Sequence, residues 1–199
     1  MIESAANAKF KRIQKLMKQA RARKKEGVFV VEGWKMVREA LQGDLVQELY
    51  CDEKEEALAK ELAKLQKRPA IEVLKTALFK QMSDTVNPQG VLAVITMPSY
   101  DREQMISSDE CKLLCLENIQ DPGNLGTMFR TAEGAGMSGV VLSSGCVDLF
   151  NPKVVRSTMG AMFRVPFYIC ESMSEEMKQL QNQSFHFYAA HLQGKNCLL

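Results

Sequence analysis

The sequence predicts an α/β protein built as two consecutive units, a small α/β sandwich followed by a βαβ-type unit. Three observations predict it. Short apolar, β-branched runs alternate with helical segments from Val28 to Ile95, the pattern of a sheet covered by helices. The alternation breaks at Met97-Pro98-Ser99-Tyr100-Asp101 and stays polar to Glu110, as a linker with room for one short helix does. Lys112 to Leu142 then reads as strand, glycine-bearing turn, helix and strand, a unit whose ligands gather at the carboxyl ends of the strands. The expected partition is a first domain at 1–97, a linker at 98–110 and a second domain at 111–199.

Composition narrows the function classes. Of the 199 residues, 46% are apolar and 25% charged, ordinary for a soluble globular chain. No apolar run is long enough to span a bilayer and no signal-peptide segment opens the sequence, so a cytoplasmic location is expected. The six cysteines, at 51, 111, 115, 146, 170 and 197, form no CxxC pair, and no histidine stands at zinc-ligand spacing. A reduced, metal-free set of thiols is expected. The net charge of +2 hides an asymmetry. Lys9, Lys11, Arg12, Lys15, Lys18, Arg21, Arg23, Lys24 and Lys25 follow one another with no acid among them, whereas 52–56 and 171–176 are acidic. A single-sign run of this kind suits a polyanion.

Taken in order, Asn7 to Lys25 reads as one amphipathic basic helix, with Phe10, Ile13, Met17 and Ala20 on its apolar face. A solvated surface helix is the alternative; the charge run favours RNA phosphates, with Lys11, Arg12, Lys15, Lys18, Arg21, Arg23 and Lys24 as contacts. Gly27 ends that helix. Val28–Val31 reads as a strand, Gly33–Leu41 as a helix, Val46–Tyr50 as a strand, and Glu53–Leu65 as a helix burying Leu58, Leu62 and Leu65. Ile71–Leu74 is a short strand, Thr76 caps a helix through Lys80, and Gly90–Ile95 closes the set.

In the second unit, Lys112–Leu116 is a strand, Asp121-Pro122-Gly123-Asn124 a turn, and Met128, Phe129 and Ala132 recur at helical spacing. Asn124 is placed either to cap that helix or to hold a ligand. Arg130 is a lone arginine on a small, apolar helix and needs an anion or a carboxylate. Gly139–Leu142 is the next strand. Asn151–Met162 reads as a helix with Pro152 in its first turn, carrying Lys153 and Arg156 as exposed cations. Phe163–Tyr168 leads into a strand, and Phe185–Ala190 reads as another.

DPGNLGTMFRTAEGAG, residues 121–136, resembles the first motif of the SpoU (TrmH-like) RNA 2′-O-ribose methyltransferases. Asn151 to Ala161, followed by Val165-Pro166, resembles the second. The likeness is close from Lys112 onward and looser over Asn7 to Val94. There the order of elements resembles the family's small substrate-binding domain, with Phe29, Glu32, Gly33 and the Gln89-Gly90 loop at its signature positions. The resemblance implies an RNA-binding sandwich followed by an α/β-knot, Rossmann-like methyltransferase domain. It implies S-adenosylmethionine as cofactor, RNA as substrate (ribosomal RNA favoured by the first unit) and a homodimer at full length.

It also implies residue roles. Arg130 is the residue essential to methyl transfer. Because a guanidinium stays protonated, its expected part is to bind the target phosphate and stabilise the developing oxyanion. Asn124 orients Arg130 or the ribose, Lys153, Arg156 and Ser157 face RNA, and Ala190, His191 and Leu192 form a wall of the cofactor pocket. The family's third motif, a GNEGxG-like turn and an IPM…SLN-like segment, is expected after Gly194; the sequence reaches Leu199 without it, so this chain is expected to be inactive alone. A non-catalytic RNA-binding protein retaining part of the fold is the rival reading. A dinucleotide-binding enzyme is a weaker one, since DPGNLG is not GxGxxG and lacks the matching ribose acid.

Overall fold

The computed structural model describes residues 1–66, 69–108 and 110–190. Two sheets organise them. The first contains β1 (Val28–Glu32), β2 (Val46–Asp52), β3 (Ala70–Leu74) and β4 (Val91–Thr96), in the order β1-β4-β2-β3. β4 runs antiparallel to both neighbours and β2 parallel to β3. The second contains β5 (Leu113–Leu116), β6 (Gly139–Ser143) and β7 (Phe167–Cys170), all parallel and in sequence order.

The period of two along each strand divides the first sheet into two faces. Val28 and Val30 of β1 and Leu92 and Val94 of β4 join Phe10, Ile13, Leu16, Met17 and Phe79 in one core. That core lies under α1 (Ala8–Lys18) and α5 (Thr76–Met82). Phe29, Val31, Ala93 and Ile95 face the other way, into a core shared with Val140, Leu142, Phe129, Phe150 and Phe167 of the second unit. α3 (Trp34–Gln42) lies on that face, where it buries Met36, Val37, Ala40 and Leu41. The aromatic chain Phe29–Phe150–Phe167, with centroids 4.9 and 6.1 Å apart, runs through the shared core. These distances are in the range of favourable tilted aromatic pairs.

Several expectations are corrected. The basic helix is two helices, α1 and α2 (Ala20–Glu26), because Gln19 turns extended at φ −124°, ψ 112°. α2 ends at Gly27 with φ 66°, a left-handed cap that glycine adopts freely. The helix after β2 is α4 (Glu56–Leu62), flanked by 3₁₀ turns at Glu53–Glu55 and Ala63–Leu65. Its buried side is Ala59 and Ala63, whereas Leu58 and Leu65 are exposed. Small residues let this helix lie close to the sheet, which turns the leucines outward. Thr76 does not cap α5; Lys75 occupies that position, and the Thr76 hydroxyl donates to Asp52 Oδ1 at 2.7 Å. The 98–110 stretch does contain a short helix, α6 (Arg102–Met105), but it is anchored. Arg102 Nε donates to Glu176 at 2.8 Å, and Tyr100 packs edge-on against Phe167.

In the second unit α7 (Pro122–Gly134) joins β5 to β6. The expected single helix over 151–162 is α8 (Pro152–Thr158) and α9 (Ala161–Arg164), separated by left-handed Met159 and Gly160 at φ 50° and 93°. Glycine suits position 160 because its left-handed φ strains any residue that carries a Cβ. α10 (Met173–Asn182) was not anticipated. Its signal was Ser172 three residues before Glu175, and the Ser172 hydroxyl accepts from the Glu175 N–H at 3.3 Å. The strand expected at Phe185–Ala190 does not form: these residues are irregular, with Phe187 and Tyr188 exposed. Among the described residues no strand lies beside them, and an isolated strand leaves its N–H and C=O groups without partners.

Candidate RNA-binding and methyl-transfer site

The helix that carries the first motif begins earlier than its glycines suggest. Pro122 stands at its first turn, where a missing N–H costs nothing. Asp121 is the cap, its Oδ1 accepting from Asn124 N at 2.7 Å. Asn124 is therefore inside the first turn and exposed, not a cap. Leu125, Gly126, Phe129 and Ala132 face the core. Gly126 allows α8 to touch α7, because a Cβ there would overlap both the hydroxyl and the backbone of Ser157. Ser157 Oγ lies 2.7 Å from the carbonyls of Pro122 and Val154, so its hydroxyl ties the two helices together. The residue expected to face RNA is thus occupied in packing.

On the opposite side of α7, Thr127, Arg130, Thr131 and Gly134 form a stripe at positions i, i+3, i+4 and i+7. The stripe lines an open cleft of about 600 Å³, closed by Thr158, Met159 and Arg164 and, from the first unit, by Lys35 of α3. Arg164 is neutralised there. It pairs with Glu39 of α3 and with Glu133 of α7, one of these contacts being Nη2 to Oε2 at 3.0 Å. Arg130 is exposed and has no ion-pair partner among the described residues, so its guanidinium is open to solvent and to an anionic ligand. Asn124 does not line this cleft. It stands six positions before Arg130 on α7, a rise of about 9 Å and a rotation of about 120° along the helix.

The remaining basic candidates divide. Lys11, Lys15, Lys18, Arg21 and Lys24 are exposed along α1 and α2, and none has an ion pair among the described residues. Arg12 donates to Glu26 at 2.7 Å and Glu48 at 2.6 Å. Burial lowers the pKa of its guanidinium, and the hydrogen bonds to Glu26 and Glu48 outweigh that and hold it above the usual value. Arg23 is buried: it donates to the carbonyls of Leu16 (2.6 Å) and Met17 (3.2 Å) and pairs with Asp148 across the two units. Arg23 is a structural bridge, a correction to its expected role. Lys153 is exposed, whereas Arg156 is half-buried and bonded to Asp84 at 3.0 Å.

The carboxyl edge of the parallel sheet is rimmed by Asn118, Ser144, Gly145 and Glu171. Asn118 is left-handed at φ 53°, and its N–H donates to Ser143 Oγ at 3.0 Å. Gln120 Nε2 donates to the Gly145 carbonyl at 2.6 Å. The Asn118 amide packs over Gly145, occupying the space that a Cβ there would take. Just below, burial pushes the Cys115 thiol up to about 11. Ala190 is exposed in irregular chain. His191 and Leu192, the other expected pocket residues, lie outside the described residues. No cluster of metal-binding side chains occurs among the described residues, and no described helix is long and apolar enough to cross a membrane.

Lys35 and the threonines of the cleft were missed at the level of sequence. The i, i+3, i+4, i+7 stripe around Arg130 was a readable signal for the threonines. Lys35 had none, because only the packing of the two units brings α3 beside α7.

Comparison with known proteins agrees with this geometry. Residues 112–198 match the SpoU rRNA Methylase family, and residues 7–93 match the MRM3-like substrate binding domain. The chain is 33% identical over 194 residues to the 23S rRNA (guanosine(2553)-2′-O)-methyltransferase RlmP of Bacillus subtilis, covering 97% of this chain and 74% of that protein. It is 37% identical over 161 residues to the human mitochondrial rRNA methyltransferase 3, covering 77% of this chain and 38% of that protein. It therefore spans about two fifths of the length of the mitochondrial relatives it matches. Among solved structures, the AdoMet-bound rRNA methyltransferase from Sinorhizobium meliloti superposes with a TM-score of 0.78 at 25% identity, covering 90% of this chain and 67% of that one. AviRb from Streptomyces viridochromogenes, a SpoU methyltransferase in complex with AdoMet, superposes at 0.76 and 26% identity, covering 89% and 68%. With two motif-bearing helices, a parallel sheet and relatives of this kind, the chain belongs to the SpoU family of RNA methyltransferases.

Proposed function

We propose that this chain forms the substrate-binding and first catalytic part of an S-adenosylmethionine-dependent enzyme that methylates a ribose 2′-hydroxyl of ribosomal RNA. The observation that carries the reading is Arg130, which lines the cleft between the two units and has no ion-pair partner among the described residues, the one carboxylate of the lining, Glu133, being paired with Arg164. The division into an RNA-binding domain at 1–97, a linker at 98–110 and a methyltransferase domain from 111 belongs to this reading. So do a cytoplasmic location, assembly as a homodimer and RNA contact by Lys11, Lys15, Lys18, Arg21, Lys24 and Lys153.

The chemistry supplied by the cofactor, when bound, is a sulfonium-borne methyl group open to attack. The turn at Gly145 and the polar rim of Asn118 and Glu171 support a site for it at the carboxyl edge of β5–β7. Arg130 holds the phosphate beside the target nucleotide and stabilises negative charge as the ribose hydroxyl loses its proton. Its fixed, five-donor guanidinium favours one approach of the RNA backbone, so its contribution includes alignment. Thr127 and Thr131 flank it and offer hydroxyls to the same backbone.

The test is transfer of a labelled methyl group from S-adenosylmethionine to an unmodified 23S rRNA transcript, by this chain and by a version extended through the family's third motif, the form in which effects on methyl transfer are read. The product carries one internucleotide bond resistant to alkali, since a methylated 2′-oxygen cannot attack its phosphate. Transfer to a base, which leaves every bond alkali-labile, refutes ribose methylation. RNA binding with no cofactor binding in titration calorimetry favours the non-catalytic RNA-binding reading instead.

A further inference from the structure

We infer that Lys35, on the first unit, is a phosphate-gripping residue of the same cleft as Arg130. The substrate-binding unit then contributes to positioning at the reacting nucleotide, not only to docking farther away. The inference rests on the RNA methyltransferase reading above and adds a residue to it. The first sheet separates its helices into two layers. α1, with its exposed lysines, covers one face, and α3 lies on the other, against the shared core. The first sheet thus stands between α1 and α3. On α3, Lys35 is exposed and lines the cleft together with Arg130.

The charges of the cleft favour an anion. Its third cation, Arg164, is already matched by Glu39 and Glu133. Lys35 and Arg130 have no carboxylate partner among the described residues. An ammonium and a guanidinium lining one cleft together with the hydroxyls of Thr127 and Thr131 suit a phosphodiester. The lysine acts as a compact point charge and the arginine as a directional fork. The placement of Lys35 is fixed by packing: Met36 and Val37 beside it are buried, and the preceding Trp34 N–H donates to Gln89 Oε1 at 3.0 Å.

The experiment compares the full chain with Lys35→Ala, Lys35→Arg, Arg130→Ala and Lys35→Ala/Arg130→Ala. Binding to a 23S rRNA transcript is measured over a salt series, and S-adenosylmethionine binding is measured separately. Removing one phosphate contact on single-stranded RNA is expected to lower the slope of log K against log salt by about 0.7. Lys35→Arg should restore it. The double variant should lose less than the sum of the single losses, since both side chains grip one segment of backbone. Cofactor affinity should not change. An unchanged salt slope in Lys35→Ala, with the parent chain binding RNA, overturns this inference and leaves the methyltransferase reading standing. Weakened cofactor binding also overturns it, by assigning Lys35 to the cofactor. Absence of RNA binding by the parent chain removes both.

Discussion

Arg23 and Arg130 sit in opposite sequence settings and have opposite fates. Arg23 belongs to the densest positive run in the chain, yet it is 2% exposed and bonded to two carbonyls and Asp148. Arg130 stands on a helix with no other cation, and it is exposed beside an open cleft. The same side chain is spent on the fold in one region and left for a ligand in the other. Local charge density does not decide which. The partners of the basic run come from elsewhere: Glu26, Glu48, Glu72 and Asp148 reach Arg12, Lys9 and Arg23 only in the folded chain.

Mutation sharpens the contrast. Arg130→Ala should reduce methyl transfer by about 10²–10³-fold, the loss typical of a transition-state hydrogen-bond donor, while stability stays within about 0.5 kcal/mol. A large loss of stability with it would make Arg130 another Arg23. Arg23→Ala should do the reverse. It leaves Asp148 and two carbonyls without their donor and should cost about 3 kcal/mol in chemical denaturation, with the salt slope of RNA binding unchanged in the folded protein. Weaker RNA binding at full stability would return Arg23 to the RNA contacts.

Two smaller effects probe the surroundings. Gly126→Ala forces a methyl group into Ser157 and should cost about 1–3 kcal/mol through overpacking, read as a lowered Tm. No change would mean that α7 and α8 separate readily. Lys11→Ala/Lys15→Ala/Lys18→Ala should leave Tm essentially unaltered and lower the RNA salt slope by about 2, at about 0.7 per phosphate contact. An unchanged slope would place the RNA path away from α1.

Much of this architecture was legible because the periods were clear. The continuous apolar runs of β1 and β4 marked buried strands, and the spacing of Phe10, Ile13 and Met17 named a helix face; the structure buries all of these. The βαβ connection from Leu113 to Ser143 followed from an apolar run, the turn at 121–124 and the helical spacing of Met128, Phe129 and Ala132, although Asp121 and not Asn124 caps the helix. What was not legible depended on distant packing. Leu58 looked like a core residue until Ala59 and Ala63 set the helix close to the sheet. Gln19 and Met159 carry no conventional breaker, yet both interrupt helices. Phe185–Ala190 has the composition of a strand, but composition does not provide a neighbour. At the site, Arg130 was marked by its isolation, whereas the roles of Ser157 and Arg23 appeared only with their partners.

The aromatic chain Phe29–Phe150–Phe167 has a consequence for selectivity. By crossing from one sheet to the other, it makes the interval between the docking surface and the reactive cleft a property of the folded core, not of linker length. On the proposed function, the protein then works as a gauge of fixed span. An RNA is chosen when its own three-dimensional path presents a ribose at that span, and a flexible strand of identical sequence pays the entropy of being held there.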